Sequence, residues 1–319
     1  MKKLLSIGLS IVLTLSFGYT VSAQQSAMVP SVDDVYNSTL YRYDVSEKTV
    51  ASFTVKSFLE RNNYNFQKSS EESYLPYYTP EGLTESHLPA ISQRHLLGSW
   101  TAINPATSAP YRTTVYIQCE LNGTLLRGTG FMIGPCAVAT AAHVIFDIDT
   151  DEFVENAVVF PARTNNSTPY GSANASAYMI PTGYSDSGNS NNYDWGIIEL
   201  ESNIGDTVGY MGIATKTSSY NGTSISLTGY PATVSGNTTR VMYRSDGTIS
   251  NSATYTLSST NTNTSGGMSG GPVYYNKSGA GYTAIGIISG GNNSGTQNKF
   301  ARITREVFDL FGTYRDIRV

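Results

Sequence analysis

The sequence predicts an all-β protein of sandwich or barrel architecture, and two observations support this fold class. Only 14% of the 319 residues are charged, whereas Gly, Ser, Thr, Asn and 23 Tyr are abundant. Such a composition favours short strands joined by turns over long helices. Short β-branched and aromatic runs also alternate with polar clusters such as Ser185 to Asn192 and Ser258 to Gly267. The length suggests two or more compact units.

The first 23 residues have the layout of a secretory signal peptide. Lys2 and Lys3 precede a largely apolar run from Leu4 to Phe17, and Val21-Ser22-Ala23 then supplies small residues before a cleavage point. The apolar run is shorter than the roughly 20 residues that a membrane span needs. Cleavage after Ala23 is therefore favoured over a membrane anchor, and we expect a secreted protein.

Residues 24–94 differ in composition from the rest of the chain. Lysines, glutamates and tyrosines are mixed there, and prolines recur at Pro76, Pro80 and Pro89. We interpret this stretch as a loosely structured pro-segment with one short helix near Val55 to Asn62, removed by a cut that frees His95. The alternative is a linker or a small binding region.

After residue 94 the pattern is that of strands and turns. Asn122-Gly123 separates two of the strand-like runs and is a signal of a tight β-hairpin. Near the C-terminus, Arg305 to Phe311 predicts a short helix, with Thr304 as its N-cap and Gly312 as its end. The strand-like runs are Thr113 to Gln118, Gly128 to Ile133, Ala137 to Thr140, Ala157 to Phe160, Trp195 to Leu200, Ser224 to Leu227, Arg240 to Tyr243 and Ala284 to Ile288.

The net charge argues against nucleic-acid and anionic-membrane partners, and the cysteine and acidic patterns argue against metal sites. A formal charge of −4 and a pI near 5.4 leave no basic patch for nucleic acid or an anionic membrane. Cys119 and Cys136 form either one disulfide or two buried thiols, and export favours the disulfide. Neither has the spacing of a zinc site, and the acidic run Asp147 to Glu152 lacks the glycine of a calcium loop. We expect no metal and no cofactor.

A serine set among glycines is the first candidate for chemistry. Gly266-Gly267-Met268-Ser269-Gly270-Gly271 can fold back on itself, because glycine adopts positive φ, and aim N–H groups at a developing oxyanion. The alternative is a Ser/Gly loop between two strands. A short match of this kind needs support from elsewhere in the chain.

One histidine and one aspartate could provide that support. His87 and His95 lie in or beside the pro-segment, which leaves His143 as the histidine inside the strand-rich body. Asp194 enters an apolar strand beside Trp195, where an unpaired carboxylate would be costly. The alternatives are a structural histidine and a turn residue at a strand edge.

Five separated blocks resemble the chymotrypsin-fold serine endopeptidases of bacteria, and in particular the glutamyl endopeptidase (V8-like) family. They are Gly128 to Pro135, Thr140 to His143, Tyr193 to Trp195, Gly229 to Pro231 and Gly266 to Gly270. The resemblance covers the chain from about residue 94 onward and includes the chain order His, Asp, Ser.

The resemblance implies a trypsin-like double six-stranded β-barrel with a C-terminal α-helix. Residues 95–202 would form the first barrel, and residues 203–319 the second barrel and the helix. It also implies a triad between the barrels, with Ser269 as nucleophile, His143 as general base and acid, and Asp194 as the orienting carboxylate. The N–H groups of Gly267 and Ser269 would form the oxyanion hole.

The family resemblance also implies a pocket for the P1 side chain, which belongs to the residue whose carbonyl is attacked. The implied substrate-binding residues are Thr264, Ile288, Ser289 and Gly290. Ile288 stands where the family has a histidine that recognises glutamate, and an apolar residue cannot stabilise a buried carboxylate. We therefore expect a preference for an uncharged P1 side chain. Met268 replaces the aspartate that precedes the nucleophile in animal trypsin-like enzymes, so maturation must proceed without that ion pair.

Together these features predict a secreted serine endopeptidase, made as a zymogen, that acts as a monomer on proteins or peptides. Nucleic acid and, once the signal peptide is removed, membranes are not expected partners. One alternative is a non-catalytic protease-like domain that binds protein or surface glycan. Another is a β-rich adhesin unrelated to proteases.

Overall fold

The structure is a computed structural model that describes residues 36, 38–64, 71–83, 100–187, 191–234, 237–291 and 295–319. The predicted signal peptide and the predicted cut before His95 lie outside the described residues. No helix in the described parts of the chain is long and apolar enough to cross a membrane.

Short strands make up most of the described chain. They are β1 (Thr39–Asp44), β2 (Thr49–Thr54), β3 (Glu72–Leu75), β4 (Trp100–Ile103), β5 (Thr114–Leu121), β6 (Thr124–Gly134), β7 (Ala137–Thr140), β8 (Phe146–Asp147), β9 (Glu152–Phe153), β10 (Asn156–Pro161), β11 (Ala173–Pro181), β12 (Gly196–Leu200), β13 (Gly212–Lys216), β14 (Ser224–Gly229), β15 (Thr233–Val234), β16 (Asn237–Thr238), β17 (Met242–Thr248), β18 (Asn251–Ser252), β19 (Thr256–Ser259), β20 (Pro272–Lys277), β21 (Gly281–Gly291) and β22 (Asn298–Arg302). The helices are α1 (Val55–Arg61), α2 (Ala142–Ile145), α3 (Thr182–Asp186), α4 (Gly205–Val208) and α5 (Arg305–Thr313), with a 3-10 turn at Tyr111–Thr113.

The first sheet closes into a six-stranded barrel. Its strands follow the order β10-β5-β6-β7-β12-β11, and β10 also pairs with β11 to close the ring. The predicted hairpin at Asn122-Gly123 joins β5 to β6, with φ values of 50° and 73° at the two turn residues. Both values are positive, as a tight two-residue hairpin requires. Alternating inward residues such as Val115, Ile117 and Phe131 are fully buried in its core.

The second sheet has ten strands and wraps a separate core. Eight of them run in the order β18-β19-β22-β21-β20-β14-β17-β4, while β13 pairs with both β21 and β3. Leu227, Ile285 and Phe300 are fully buried between these strands. The expected all-β fold is confirmed, with a closed six-stranded first barrel and a more open second sheet. Strand β4 joins the second sheet through β17, although residues 100–103 fall within the stretch expected to form the first barrel.

Residues 36–83 are more ordered than the loose segment that the sequence predicted. Strand β1 pairs antiparallel with β11 of the first barrel, from Leu40 opposite Pro181 to Asp44 opposite Ala177. Strand β3 pairs antiparallel with β13 of the second sheet. Leu40 has no exposed surface, so burial of apolar side chains explains the order. We call the described residues 36, 38–64 and 71–83 the N-terminal strap, because they are hydrogen-bonded to both sheets.

The two predicted helices are present. Helix α1 begins after Thr54, whose hydroxyl accepts a hydrogen bond from Ser57 N, and it buries Val55 and Leu59. Helix α5 begins after Thr304, whose hydroxyl accepts from Val307 N, and it continues one residue past the predicted end at Gly312. Both helices contribute to the apolar cluster of the first barrel. The strap therefore shares its core with the C-terminal helix.

The favoured disulfide is absent, and Cys119 and Cys136 are both free and buried. The Cys119 thiol lies 3.5 Å from Val144 O, whereas the Cys136 thiol lies 3.5 Å from Ile317 O. The two sulfur atoms thus contact different parts of the molecule. Burial raises the pKa of Cys119 to about 12 and that of Cys136 to about 11, which leaves both thiols protonated and unreactive near neutral pH.

Candidate active site

Ser269 lies on a tight turn in the connection between strands β19 and β20 of the second sheet. Gly267 and Gly270 have φ values of 92° and 86°, a region that favours glycine. Met268 N donates to Ser265 O, and Gly271 N donates to Met268 O, both at 3.0 Å. Met268 itself is fully buried in the second core. Packing of this side chain in the second core holds the serine turn in place.

Thr129 of the first barrel is hydrogen-bonded to the same turn. Its N–H donates to Ser269 O at 2.9 Å, and its hydroxyl donates to Gly267 O at 2.7 Å. The hydroxyl also accepts a 2.9 Å hydrogen bond from Tyr230 N. Thr129 is fully buried, so these bonds are shielded from water. Although its block marked the family resemblance, nothing in the sequence indicated this bridging role.

Gly270 sits directly against the strand end that leads to His143. A Cβ atom on Gly270 would lie 2.0 Å from Thr129 O and 2.2 Å from Thr140 Oγ1. Such distances are far below van der Waals contact, so only glycine allows this approach. Since His143 is three residues beyond Thr140, the serine turn and the histidine are held at the junction of the two barrels.

His143 and Asp194 are in direct contact. His143 Nδ1 lies 3.0 Å from Asp194 Oδ1 and 2.9 Å from Asp194 Oδ2, and His143 N donates to Oδ1 at 3.1 Å. The Asp194 side chain is 2% exposed and that of His143 is 32% exposed. A carboxylate only accepts, so Nδ1 carries a proton and Nε2 of the neutral ring is left as an acceptor.

The environment of His143 moves its pKa in two opposing ways. Burial of the ring lowers the pKa of His143, but the negative charge of Asp194 and its hydrogen bond together raise the pKa above the usual 6.5. The contact with Asp194 thus favours the protonated form of the ring, which is the form that follows proton transfer.

Two further side chains hold Asp194. The Ser289 hydroxyl donates to Asp194 Oδ2, and Asn191 Nδ2 donates to Ser289 Oγ at 2.8 Å. Ser289 is buried, at 6% exposure. Its side chain therefore faces the carboxylate, although the sequence suggested that it binds substrate. Asn191 was missed, because an asparagine in an Asn/Ser-rich loop gives no distinctive signal.

The remaining functional groups of the site are the Ser269 hydroxyl and the backbone N–H groups of Gly267 and Ser269. Neither Gly267 N–H nor Ser269 N–H donates to a backbone carbonyl in the described parts of the chain, so both stay available to an incoming oxygen. The Ser269 hydroxyl makes no hydrogen bond to any described residue. Within the same residues, no group of three or more His, Cys, Asp or Glu side chains is arranged to hold a metal ion.

The expected pocket residues lie beside the serine turn. Gly270 N donates to Ile288 O at 2.8 Å, and Ile288 N donates to Gly271 O at 2.9 Å, so β21 runs along the turn. Ile288 is 2% exposed and packs in the second core. The Thr264 hydroxyl donates to Asn298 Oδ1 at 2.7 Å. Asn298 was also missed, since only the pairing of β22 with β21 brings it here.

Comparison with known proteins identifies the family. The family model described as Trypsin matches residues 102–309, which is most of the chain. This chain belongs to the trypsin family. The match begins at residue 102 and leaves the strap outside it.

Two relatives share most of the chain. Glutamyl endopeptidase of Bacillus licheniformis is 35% identical over 268 residues, covering 82% of this chain and 78% of the relative. A Bacillus subtilis protein named extracellular metalloprotease is 34% identical over 230 residues, covering 70% of this chain and 71% of the relative. This trypsin-family chain is accordingly a serine endopeptidase that acts on proteins or peptides.

Solved structures agree on the fold. A Glu endopeptidase in complex with MPD has a TM-score of 0.60 at 24% identity and covers 67% of this chain and 95% of its own. The protease Anisep from Arthrobacter nicotinovorans has a TM-score of 0.57 at 22% identity and covers 69% of this chain and 100% of its own. Both likenesses concern the fold alone.

Proposed function

We propose that this protease cleaves peptide bonds through a triad of His143, Asp194 and Ser269. The observation that carries the proposal is the buried Asp194 carboxylate, which contacts the Nδ1 atom and the backbone N–H of His143. A structural histidine does not need a carboxylate fixed by a buried serine hydroxyl as well. This geometry is what a general base requires.

The reaction follows from the tautomer of His143. Nε2 accepts the proton of the Ser269 hydroxyl while Ser269 Oγ forms a bond to the scissile carbonyl carbon. The tetrahedral intermediate collapses as the C–N bond breaks, and the imidazolium returns its proton to the leaving amine. Water then gives a proton to Nε2 and attacks the acyl carbon. The bond between that carbon and Ser269 Oγ breaks, and Nε2 returns the proton to Oγ, which releases the acid and restores the free serine and the neutral ring. Asp194 stays ionised and stabilises the imidazolium.

The oxyanion hole is proposed to consist of the N–H groups of Gly267 and Ser269. Ala232 N donates to Gly266 O at 2.7 Å and Gly271 N donates to Met268 O at 3.0 Å, so the two peptides that carry these N–H groups are fixed. Fixed donors need no reorganisation as charge develops on the substrate oxygen. Each such donor contributes about 10²–10³ in rate.

We also propose that the protein is secreted as a precursor. Residues 1–23 would be the signal peptide and residues 24–94 the pro-segment, whose described part is the strap. Residues 95–202 and 203–319 would carry the two barrels. The apolar start of the chain and a family match that begins at residue 102 support this division.

A fluorophosphonate probe followed by peptide mass spectrometry tests the proposal. The probe should add once, to Ser269, and the adduct should be absent from Ser269→Ala. Ser265→Ala is the matched control in the same turn, because the structure uses only its backbone oxygen. The processed protein should begin near His95. A folded, processed protein without an adduct would instead favour the protease-like binding domain.

Because the Bacillus subtilis relative is named a metalloprotease, a second experiment tests whether activity requires a metal. A zinc protease loses activity when a chelator removes its metal. Peptidase activity of this chain should withstand EDTA and disappear with the fluorophosphonate. Loss of activity with EDTA and its return with zinc would contradict the serine mechanism.

A further inference from the structure

Open space lies beside the serine turn, at Gly266 and at Gly290 of β21, and we call this space the slot. Nothing lies within 4 Å of the position that a Cβ atom would take on Gly266 or on Gly290. Gly266 lies three residues before Ser269, and β21, which contains Gly290, is hydrogen-bonded to the serine turn through Ile288. The P1 side chain of a substrate bound at Ser269 is therefore assigned to this open space.

Asn298 is hydrogen-bonded to Thr264, one of the expected pocket residues, and its orientation can be assigned from its partners. Strand pairing sets Asn298 opposite Gly291. Its Nδ2 atom lies 2.7 Å from Thr262 O and 3.0 Å from Thr262 Oγ1. A backbone carbonyl only accepts hydrogen bonds, so the amide atom facing it must be the nitrogen. The Oδ1 atom then faces Thr264.

This orientation determines what Thr264 can offer a ligand. Asn298 Oδ1 lies 2.7 Å from Thr264 Oγ1, and an amide oxygen only accepts, so the single hydroxyl proton of Thr264 is committed to Asn298. Thr264 can offer only lone pairs to anything that enters the slot. The family resemblance implied a threonine that helps to bind a glutamate carboxylate, but here the hydroxyl is a hydrogen-bond acceptor.

Among the described residues that surround Thr264 and Asn298 in this hydrogen-bond network, none carries a charge that could pair with a carboxylate. Ile288 is apolar, and Thr262, Thr264 and Asn298 are neutral. Lys299 follows Asn298, but it lines a separate polar cavity of about 290 Å³ together with Asn191, Ser258 and Gln297. A glutamate carboxylate in the slot would face lone pairs without a cation, which is costly.

We infer that the slot selects glutamine at P1. A primary carboxamide has the size of a carboxylate but carries two N–H donors, which match the acceptor on Thr264. Asn298 is then the specificity-determining residue, because it decides which way the Thr264 proton points. This inference rests on the proposed triad at Ser269.

Matched peptides that differ only at P1 test the inference. The peptides carry glutamine, glutamate or methionine at P1 and are otherwise identical. The kcat/KM of the glutamine peptide should be about 10²-fold higher than that of the glutamate peptide and about tenfold higher than that of the methionine peptide. Active enzyme is counted by the fluorophosphonate adduct, so the adduct reports the triad and the peptide ratio reports the slot. Adduct formation together with a glutamate or methionine preference would overturn the glutamine assignment and leave the triad intact.

Two variants separate the role of Asn298 from general damage. Asn298→Ala frees the Thr264 proton to donate to a carboxylate, so the glutamine-to-glutamate ratio should fall at least about tenfold. Thr264→Val removes the acceptor, and the preference for glutamine over methionine should vanish. Lys299→Ala, on the same strand, should leave both ratios unchanged. A ratio that stays constant in Asn298→Ala would refute the role of this residue.

Discussion

Asp309→Asn should lower the free energy of unfolding of the precursor, because the buried Asp309 side chain links the strap to the C-terminal helix. The Asp309 side chain has no exposed surface and accepts hydrogen bonds from Tyr36 at 2.5 Å, Tyr64 at 2.6 Å and Arg305 at 2.8 Å. Both tyrosines belong to the strap. Burial and the Asp309 charge raise the pKa of Tyr36 to about 12, so its hydroxyl remains a donor throughout the neutral range.

The magnitude follows from these three contacts. Hydrogen bonds to a charged partner contribute about 1.5–3 kcal/mol each, and removal of one member of a buried charged pair costs about 3–5 kcal/mol. Asparagine keeps the volume of the side chain but loses the charge and turns an N–H group toward the donors. We expect the free energy of unfolding to fall by about 3–5 kcal/mol.

Urea unfolding of the full chain in the Ser269→Ala background measures this loss without self-cleavage. Asp316→Asn is the control, since Asp316 is exposed three residues past the same helix, and it should change stability by less than about 0.5 kcal/mol. Tyr64→Phe completes a double-mutant cycle, whose coupling energy should be about 0.5–3 kcal/mol. A loss below about 1 kcal/mol for Asp309→Asn, or additive effects in the cycle, would refute the reasoning.

Three further predictions concern the active site. The value of kcat/KM should fall as the pH drops through the His143 pKa, which lies above 6.5, because only the neutral ring accepts the Ser269 proton. Asp194→Asn should lower kcat about 10⁴-fold and shift this acidic limb of the pH profile to lower pH. A wild-type limb well below pH 6.5 would contradict this. Gly270→Ala should abolish fluorophosphonate labelling and soluble yield, since its Cβ would collide with Thr129 O, while Gly266→Ala, which meets no atom within 4 Å, should keep its yield. Asn191→Ala should lower kcat about tenfold with little change in KM, because it releases the Ser289 hydroxyl that holds Asp194; an equal change in KM would point to a substrate contact instead.

The strands with strong β-branched patterns could be predicted from the sequence, but those defined by their neighbours could not. The run Ala284 to Ile288 is continuously apolar and lies in β21 as expected. Strand β11, with the sequence ANASAYMIP, was missed, because its alanines and polar residues carry little intrinsic strand preference. It is buried between β12 and β1, so tertiary pairing determines its conformation.

The same distinction applies to the candidate active site. His143, Asp194 and Ser269 could be singled out because histidine is rare in this chain and glycines surround the serine. Thr129, Asn191 and Asn298 could not, since threonine and asparagine are common and their roles depend on strand register and loop conformation. The strap was underestimated for a similar reason, because Leu40 gains its burial from β11, which lies far away in the sequence.

The strap also has a consequence for how the enzyme would respond to dilution. While the chain is intact, β1, α1 and β3 dock within one molecule, and their contacts act at a high effective concentration. A cut between residues 83 and 100 would leave every contact in place but turn docking into association of two molecules. From that moment the occupied fraction depends on concentration, by mass action. Release into a large volume would then remove the strap from the enzyme, whereas a crowded compartment would retain it.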